Sequence, residues 1–335
     1  MNRAPRLSVA VETFPVAGTF TISRGSRTEA TVVVATLDDG THQGRGECVP
    51  YARYGETVVS VVQAIKSVAG IESRRALHSH MLPGAARNAL DCAFWDHEAK
   101  CSASTVAALS GTAPPSGPRL TCYTLSLATP QAMADAARTA ADKPLLKLKL
   151  GGAGDAERMR AVRAARPDAR LVADANEAWT PANLLPLLAV AAETGFELIE
   201  QPLAVANEQA LAGVSRLVPI CADESAHTSA DLERLAGLYD AVNIKLDKTG
   251  GLTEALAMAR AAKAQGFRIM VGCMLSTSLA MAPALLLAEF ADWLDLDGPL
   301  LLAKDRDPAF AYTNGHILPA PRGLWGGAAR LTERS

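Results

Sequence analysis

LLKLKL (145–150), RLVAD (170–174), FELIE (196–200), VPICAD (218–223) and DAVNIK (240–245) follow one another through the middle of the chain, and their reading decides the fold. Each is a run of apolar and β-branched residues of strand length, too short for a helix. Working outward, LTCYTLSL (120–127) precedes them, and RIMVGC (268–273) and DWLDLD (292–297) follow. Seven Ala/Leu-rich segments with helical spacing lie between, among them MADAARTAA, AERMRAVRAA and EALAMARAAKAQ. Strict alternation predicts a parallel sheet, and eight strands predict closure into an α/β fold, a (β/α)7β TIM-type barrel over residues 116–303. A doubly wound open sheet shows the same alternation and stands as the alternative.

Residues 1–115 read differently. TEATVVVATL (28–37) and THQGRGECV (41–49) form a predicted strand pair around the turn at Asp39-Gly40. Helical stretches follow at 56–68 and 85–100. This N-terminal α+β capping domain is set off from the barrel by Pro114, Pro115 and Pro118. Residues 304–335 have no room for another β/α unit and are expected to pack back on the cap.

The 335 residues are 49% hydrophobic and 20% charged, an ordinary globular balance. A formal net charge of −2 with scattered basic residues gives no attraction to nucleic acid or to an anionic membrane. The start, MNRAPRLSVAVETF, meets Glu12 too soon for a signal peptide. The longest apolar run, 184–192, falls far below the ~20 residues that span a bilayer. Six cysteines show no CxxC pairing, so reduced thiols in the cytoplasm are expected.

Polar residues break the strand pattern at one end. Lys147 and Lys149, Asp174, Glu200, Asp223, Lys245, Cys273, and Asp295 with Asp297 stand at the C-terminal ends of predicted strands or just past them. Active sites form at that end of a barrel. Spacings of 25, 26, 23 and 22 residues separate Lys149, Asp174, Glu200, Asp223 and Lys245, one β/α unit each, which sets them at a common height. Any one of them alone reads equally well as a solvated charge; the regular set does not. Asp174, Glu200 and Asp223 fall on adjacent strands 3, 4 and 5 and repel one another unless a cation is present. Their oxygen donors suit Mg²⁺, with Mn²⁺ the alternative, and the lack of His or Cys among them argues against zinc.

Strands 2 and 6 are opposed in a ring of eight, so Lys149 and Lys245 face each other across the site. Two bases on opposite sides of one carbon are what a stereoinversion requires. A proton beside a carboxylate is very weakly acidic, and a divalent cation on the carboxylate oxygens stabilises the enolate left behind.

These residues sit among RGSRTEATVVV (24–34), GECVPYARYGE (46–56), GAARNALDCAFWD (84–96), VADANEAW (172–179) and EQPL (200–203). CADESAHT (221–228), NIKLDKTGGLTEAL (243–256), GCMLSTS (272–278) and LDLDGP (294–299) complete the series. The ordered set resembles the enolase superfamily, in its muconate-lactonising subgroup, and most nearly the L-Ala-D/L-Glu dipeptide epimerases. It covers nearly the whole chain and is specific, whereas ADES or KxK alone is weak. The resemblance implies Asp174, Glu200 and Asp223 as Mg²⁺ ligands, Lys149 and Lys245 as the acid/base pair, and Lys147 as an aid at the substrate carboxylate. Asp295 and Asp297 would bind a substrate α-ammonium, with Leu296 between them turned outward. Arg24 and Tyr54 would lie on two lid loops, Arg24 meeting a glutamate side-chain carboxylate. Cys273 would line the pocket. The implied activity is two-base 1,1-proton transfer at the C-terminal residue of a small dipeptide such as L-Ala-Glu, in murein peptide recycling.

Rival readings stay open. An o-succinylbenzoate synthase or cycloisomerase has no substrate ammonium and would leave Asp295 and Asp297 idle; an epimerase of other dipeptides would differ in its lid loops. A Schiff-base aldolase would use the lysines as nucleophiles, against which the carboxylate trio argues. A metal-stabilised binding protein would have no use for two lysines. His227 is expected in a loop near the site, with Asn176 and Glu177 beside Asp174 and Lys248 solvated. His42, His78, His80, His97 and His316 read as dispersed, without ligand spacing. Trp95 and Trp179 read as packing, and neither Gly151-Gly152 nor Gly250-Gly251 makes a phosphate cradle. The sequence is compatible with a homo-oligomer and does not set the oligomeric state.

Overall fold

The computed structural model describes residues 5–327 except 69 and 72. The cap opens with a strand that the sequence reading missed. β1 (Arg6–Ile22) runs antiparallel to β2 (Gly25–Asp38), which pairs in turn with β3 (Gln43–Cys48). Then come α1 (Val58–Ser67), α2 (Arg74–His80), α3 (Ala85–Cys101) and α4 (Val106–Ser110). Thr57, Ser73 and Thr105 each accept a backbone N–H in the first turn of α1, α2 and α4, so local sequence sets where these helices start. α3 is buried on nearly every side. β3 lies against it because Gly44 and Gly46 carry no side chain: a Cβ there would stand 2.2 Å from the Ala93 carbonyl oxygen and 2.1 Å from that of Ala89.

Eight parallel strands follow in ring order: β5 (Tyr123–Leu125), β6 (Leu145–Lys149), β7 (Arg170–Asp174), β8 (Phe196–Glu200), β9 (Ile220–Ala222), β10 (Ala241–Ile244), β11 (Arg268–Gly272) and β12 (Trp293–Asp295). The run 120–127 is split, since β4 (Arg119–Leu120) leaves the ring and pairs with the hairpin of β13 (Tyr312–Thr313) and β14 (His316–Ile317). Both end strands of the ring are short, so loop and side-chain bonds complete the closure. Cys122 N–H donates to the Leu294 carbonyl (2.8 Å), and Leu296 N–H donates to Thr121 Oγ1 (2.9 Å).

Five of the seven expected crossover helices form, as α5 (Pro130–Thr139), α6 (Asp155–Ala165), α7 (Pro181–Glu193), α10 (Leu252–Ala264) and α11 (Ser278–Ala284). A further short helix, α9 (Leu246–Thr249), precedes α10. The other two connections correct the expectation. After β8 there is only 3₁₀ winding at Val205–Leu211, and after β9 only the four-residue α8 (Leu232–Leu235). Gly213 (φ 71°) and Gly237 (φ 81°) follow these segments in left-handed backbone that ends helical winding.

Along each strand the side chains alternate between two cores. Leu146, Leu148, Ala173, Ile199, Ala222, Val242, Ile244, Val271, Leu294 and Leu296 join the large cluster with the outer helices. Cys122, Leu145, Val172, Leu198, Cys221, Ala241, Met270 and Trp293 form a separate apolar ring, one residue from each strand position. This ring is the barrel floor, and two residues further along most strands the inward position is charged or polar.

Residues 304–327 serve both halves. Their hairpin pairs with β4, while Arg306 reaches Glu47 (2.6 Å) and Glu12 (2.6 Å) of the cap. Trp325 Nε1 donates to the carbonyls of Arg45 (2.9 Å) and Cys92 (3.1 Å). Residues 328–335, included in the expected tail packing, lie outside the described residues, as do residues 1–4.

Candidate active site

Register places the charged layer. Lys149 pairs with Asp174 and Asp174 with Glu200 across neighbouring strands, and Asp223 follows β9 directly. Asp174, Glu200 and Asp223 are buried, and one carboxylate oxygen from each lies within 4.8 Å of the others. Three adjacent carboxylates, all oxygen donors, fit a hard divalent cation. Glu200 Oε2, which is buried without an aligned hydrogen bond, adds an acceptor that such an ion would satisfy.

The lysines bracket this row. Lys149 Nζ donates to Asp174 Oδ2 (2.6 Å) at one end, and Lys245 Nζ donates to Asp223 Oδ2 (2.8 Å) at the other. Burial opposes the Lys245 charge, but Asp223 and Glu200 outweigh it and hold its pKa well above the usual lysine value. Burial likewise raises the Asp223 carboxyl, and Lys245 with Lys248 overcomes that and pulls it well down. Glu200 goes the other way, raised by burial and by Asp174. Lys147 stands 2.5 Å from Glu200 Oε2 and 2.6 Å from Asp295 Oδ2, with almost no exposure. Gly272 leaves room for this assembly: a Cβ there would stand 2.5 Å from Asn243 Oδ1 and 3.0 Å from Lys245 Cε.

Over the layer sits a cavity of about 430 Å³. Lys149, Lys245 and Asp223 reach it from the barrel, Cys273 from the end of β11, and Arg24, Arg27, Arg53 and Tyr54 from the cap. Arg24 bonds Glu224 Oε1 (2.8 Å), the Tyr51 hydroxyl (3.1 Å) and the Asn176 carbonyl (3.1 Å), while Arg53 grips Glu177 through two bonds (2.7 and 2.8 Å). The cap is thereby fastened over the barrel mouth by charge pairs.

A family model, Enolase C-terminal domain-like, matches residues 132–324. The chain belongs to the enolase superfamily. It is 46% identical over 318 residues to the L-Ala-D/L-Glu epimerase of Escherichia coli (strain K12), covering 93% of this chain and 98% of the relative. It is 44% identical over 304 residues to an N-acetyl-D-glutamate racemase of Pseudoalteromonas sp, covering 89% and 96%. A solved enolase-family structure from Agrobacterium tumefaciens, described as homologous to dipeptide epimerases and holding sodium and L-Ala-L-Glu with an ordered loop, superposes with a TM-score of 0.93. It is 52% identical, over 96% of this chain and 100% of that one. Three further matches are dipeptide epimerases complexed with Mg and a dipeptide, at 26–28% identity and TM-scores of 0.85–0.88.

Within this enolase-superfamily barrel the acidic pair past strand 8 is less open than the sequence suggested. Asp295 is held by Lys147, Asp297 Oδ2 accepts the Thr124 N–H (2.6 Å), and neither lines the cavity. Burial and the neighbouring Asp295 push Asp297 up to about 7. Leu296 points outward into the helix-facing core as expected. Lys248 corrects the reading of a solvated side chain: it is buried, donating to Asp223 Oδ1 (2.6 Å) and to the carbonyls of Asp223 and Asn243. Asn176 bonds Asp174 Oδ2 (3.0 Å), and His227 packs edge-on against Tyr54 at 4.6 Å.

Sequence reasoning missed Glu224, Asn243, Arg27 and Arg53. Glu224 is pushed up to about 7 by burial and by Asp223 and Asp174, against the pull of Arg24. Asn243 donates to Glu200 Oε1 (2.7 Å), and its signal was present: an amide at an inward position two residues beyond the floor residue Ala241.

Proposed function

We propose that the chain is a Mg²⁺-dependent epimerase, inverting the α-carbon of the C-terminal residue of a dipeptide such as L-Ala-D/L-Glu by two-base 1,1-proton transfer. The observation that carries this reading is the bracket itself, with Lys149 and Lys245 at opposite ends of the Asp174–Glu200–Asp223 row. Those three carboxylates would hold the cation, which when bound supplies Lewis-acid stabilisation of the enolate. One lysine amine removes the α-proton and the other delivers a proton to the opposite face. Lys147, buried behind the cavity lining, would offset negative charge at the substrate carboxylate. Asp295 Oδ1, buried without a partner, and Asp297 beside it would receive the substrate ammonium. Arg24, Arg27 and Arg53 give the rim a positive face for an acidic side chain, with Tyr54 and Cys273 as walls.

Incubation with L-Ala-L-Glu and Mg²⁺ in D₂O tests the reading. Deuterium should enter the glutamyl α-position and L-Ala-D-Glu should accumulate. Silence toward dipeptides with turnover of an acid lacking an ammonium would reject it in favour of a cycloisomerase or o-succinylbenzoate synthase.

A second reading has an observation of its own. Asp295 and Asp297 are engaged by Lys147 and Thr124, which suits an N-acylated glutamate whose amino end carries no charge. The Pseudoalteromonas relative bears the name of such an activity. Faster racemisation of N-acetyl-D-glutamate than of any dipeptide decides for it.

A place in murein peptide recycling, in the cytoplasm, accompanies the first reading. An Ala-Glu dipeptide in the name of the Escherichia coli relative and the six free cysteines support it. Among the described residues no helix is long and apolar enough to cross a membrane.

A further inference from the structure

Four side chains of metal-ligating type meet at the far end of the cap sheet, where β2 turns into β3 and α3 ends. Asp39 and His42 flank the turn, and His97 and Cys101, four residues apart, share one face of the last turn of α3. Asp39 Oδ2 is 3.1 Å from His97 Nε2, 3.4 Å from Cys101 Sγ and 3.6 Å from His42 Nδ1. Cys101 Sγ is in turn 3.6 Å from His97 Nε2, 3.7 Å from His97 Nδ1 and 3.7 Å from His42 Nδ1, so it lies against the His97 ring. A zinc ion with Zn–S near 2.3 Å and Zn–N or Zn–O near 2.0–2.1 Å sets its tetrahedral ligands about 3.3–3.6 Å apart. Asp39, His97 and Cys101 thus offer ligand atoms within 4.8 Å of one another, as three ligands of one ion, and His42, which is near Asp39 and Cys101, would join as a fourth by a turn of its ring.

We propose that Asp39, His42, His97 and Cys101 form a second metal site, for a divalent transition-metal ion of zinc type. The fold holds its ligands for reasons independent of an ion. Asp39 Oδ1 accepts the backbone N–H groups of Thr41 and His42 (2.8 Å each), which pins the turn and leaves Oδ2 facing α3. Gly44 allows the approach, because a Cβ there would stand 2.5 Å from His97 Cβ. Cys101 is exposed and the His42 ring is 37% exposed, so an ion has a way in.

The donors select the ion. Two imidazoles, a thiol and a carboxylate suit zinc and other borderline metals, whereas Mg²⁺ prefers oxygen alone, as in the buried trio. The Cys101 thiol donates to Asp39 and is pushed up to about 11 by burial and by that carboxylate. Binding expels its proton to solvent, so affinity rises with pH. The bound ion would clamp the β2–β3 turn to the end of α3.

The test uses the full chain, stripped by a chelator and then held in excess Mg²⁺ so that the carboxylate trio is occupied. Zn²⁺ is added and dialysed away, and Co²⁺ is titrated separately. We expect one retained zinc per chain, and with cobalt a thiolate-to-metal charge-transfer band with the intense visible bands of a tetrahedral ion. Cys101→Ser and His97→Ala should each lose the retained zinc and the band while keeping the wild-type circular dichroism. Asp223→Asn, which impairs the barrel trio, should keep both. No retained zinc in the wild type overturns the proposal. So does zinc retained equally by Cys101→Ser and His97→Ala, or a cobalt band abolished by Asp223→Asn alone.

Discussion

The same eight strands carry two layers that share a scaffold and little else. The floor, from Cys122 round to Trp293, is an apolar ring with essentially no exposure. Two residues further along, Lys147, Asp174, Glu200, Asp223, Asn243 and Asp295 fill equivalent inward positions with charge or amide. Burying ions is costly, and here each lysine contacts at least one carboxylate, so the pairing offsets the desolvation. A barrel can thus separate stability from chemistry along a single strand, because its period of two assigns successive inward side chains to different jobs.

The largest expected effect sharpens that separation from the chemical side. Lys149→Ala and Lys245→Ala should each lower kcat for epimerisation by about 10²–10⁴-fold, the usual worth of a positioned acid or base. The two losses should differ in kind. One variant should still exchange the α-proton of the L-configured substrate with D₂O, and the other only that of the D-configured substrate. Proton NMR reads both, and equal loss of exchange from both isomers in either variant breaks the two-base assignment.

From the floor the expectation is reversed. Leu198→Ala deletes a fully buried side chain of the ring and should cost about 2–5 kcal/mol of stability. Denaturant midpoints measure this, while activity per folded molecule should stay within a few-fold of wild type. A folded but inactive Leu198→Ala would show that the floor sets the height of the mouth.

How much of this was legible follows from the same contrast. The β/α unit repeats every 22–26 residues, so Lys149, Asp174, Glu200, Asp223 and Lys245 could be placed by counting. The helices after β8 and β9 could not, because the apolar spacing of 208–217 and 232–239 is also what a 3₁₀ turn or short helix shows when a glycine ends it. Arg27, Arg53 and Glu224 were hidden for another reason. Their roles depend on where the cap comes down on the barrel, a contact between residues more than 100 positions apart that no local period encodes. The cap cluster of His42, His97 and Cys101 was hidden in the same way, with ligands drawn from a turn and a distant helix end.

Asp247 tests the contrast at the seam between cap and barrel. It is buried, and its Oδ1 accepts the Val49 N–H (3.0 Å) and the Asn88 amide (2.9 Å), both neutral donors from the cap. Burial pushes its pKa up to about 7. A carboxyl raised in the folded state binds more protons there than when unfolded. Stability should therefore fall as pH rises between the ordinary aspartate value and about 7, then level off. Asp247→Asn keeps an acceptor oxygen and removes the charge. It should flatten this slope and gain on the order of 1–3 kcal/mol at pH 8. A steeper pH dependence in the variant, seen in thermal melts from pH 5 to 8, would mean that the charge is compensated after all.

The smallest expected effect lies at the rim, where charges are screened. Arg27 lines the cavity and lies over the Tyr51 ring at 5.8 Å, still open to solvent. An exposed cation contributes about 1 kcal/mol or less to holding an acidic side chain, and equally in ground and transition states. Arg27→Ala should accordingly raise KM for L-Ala-L-Glu by up to about fivefold with kcat nearly unchanged, and added salt should shrink the difference. A dipeptide with a neutral C-terminal side chain should show no change in KM. If kcat falls instead, the rim arginine acts on the geometry of the layer below, and cap and barrel are coupled more tightly than their separate charge pairs imply.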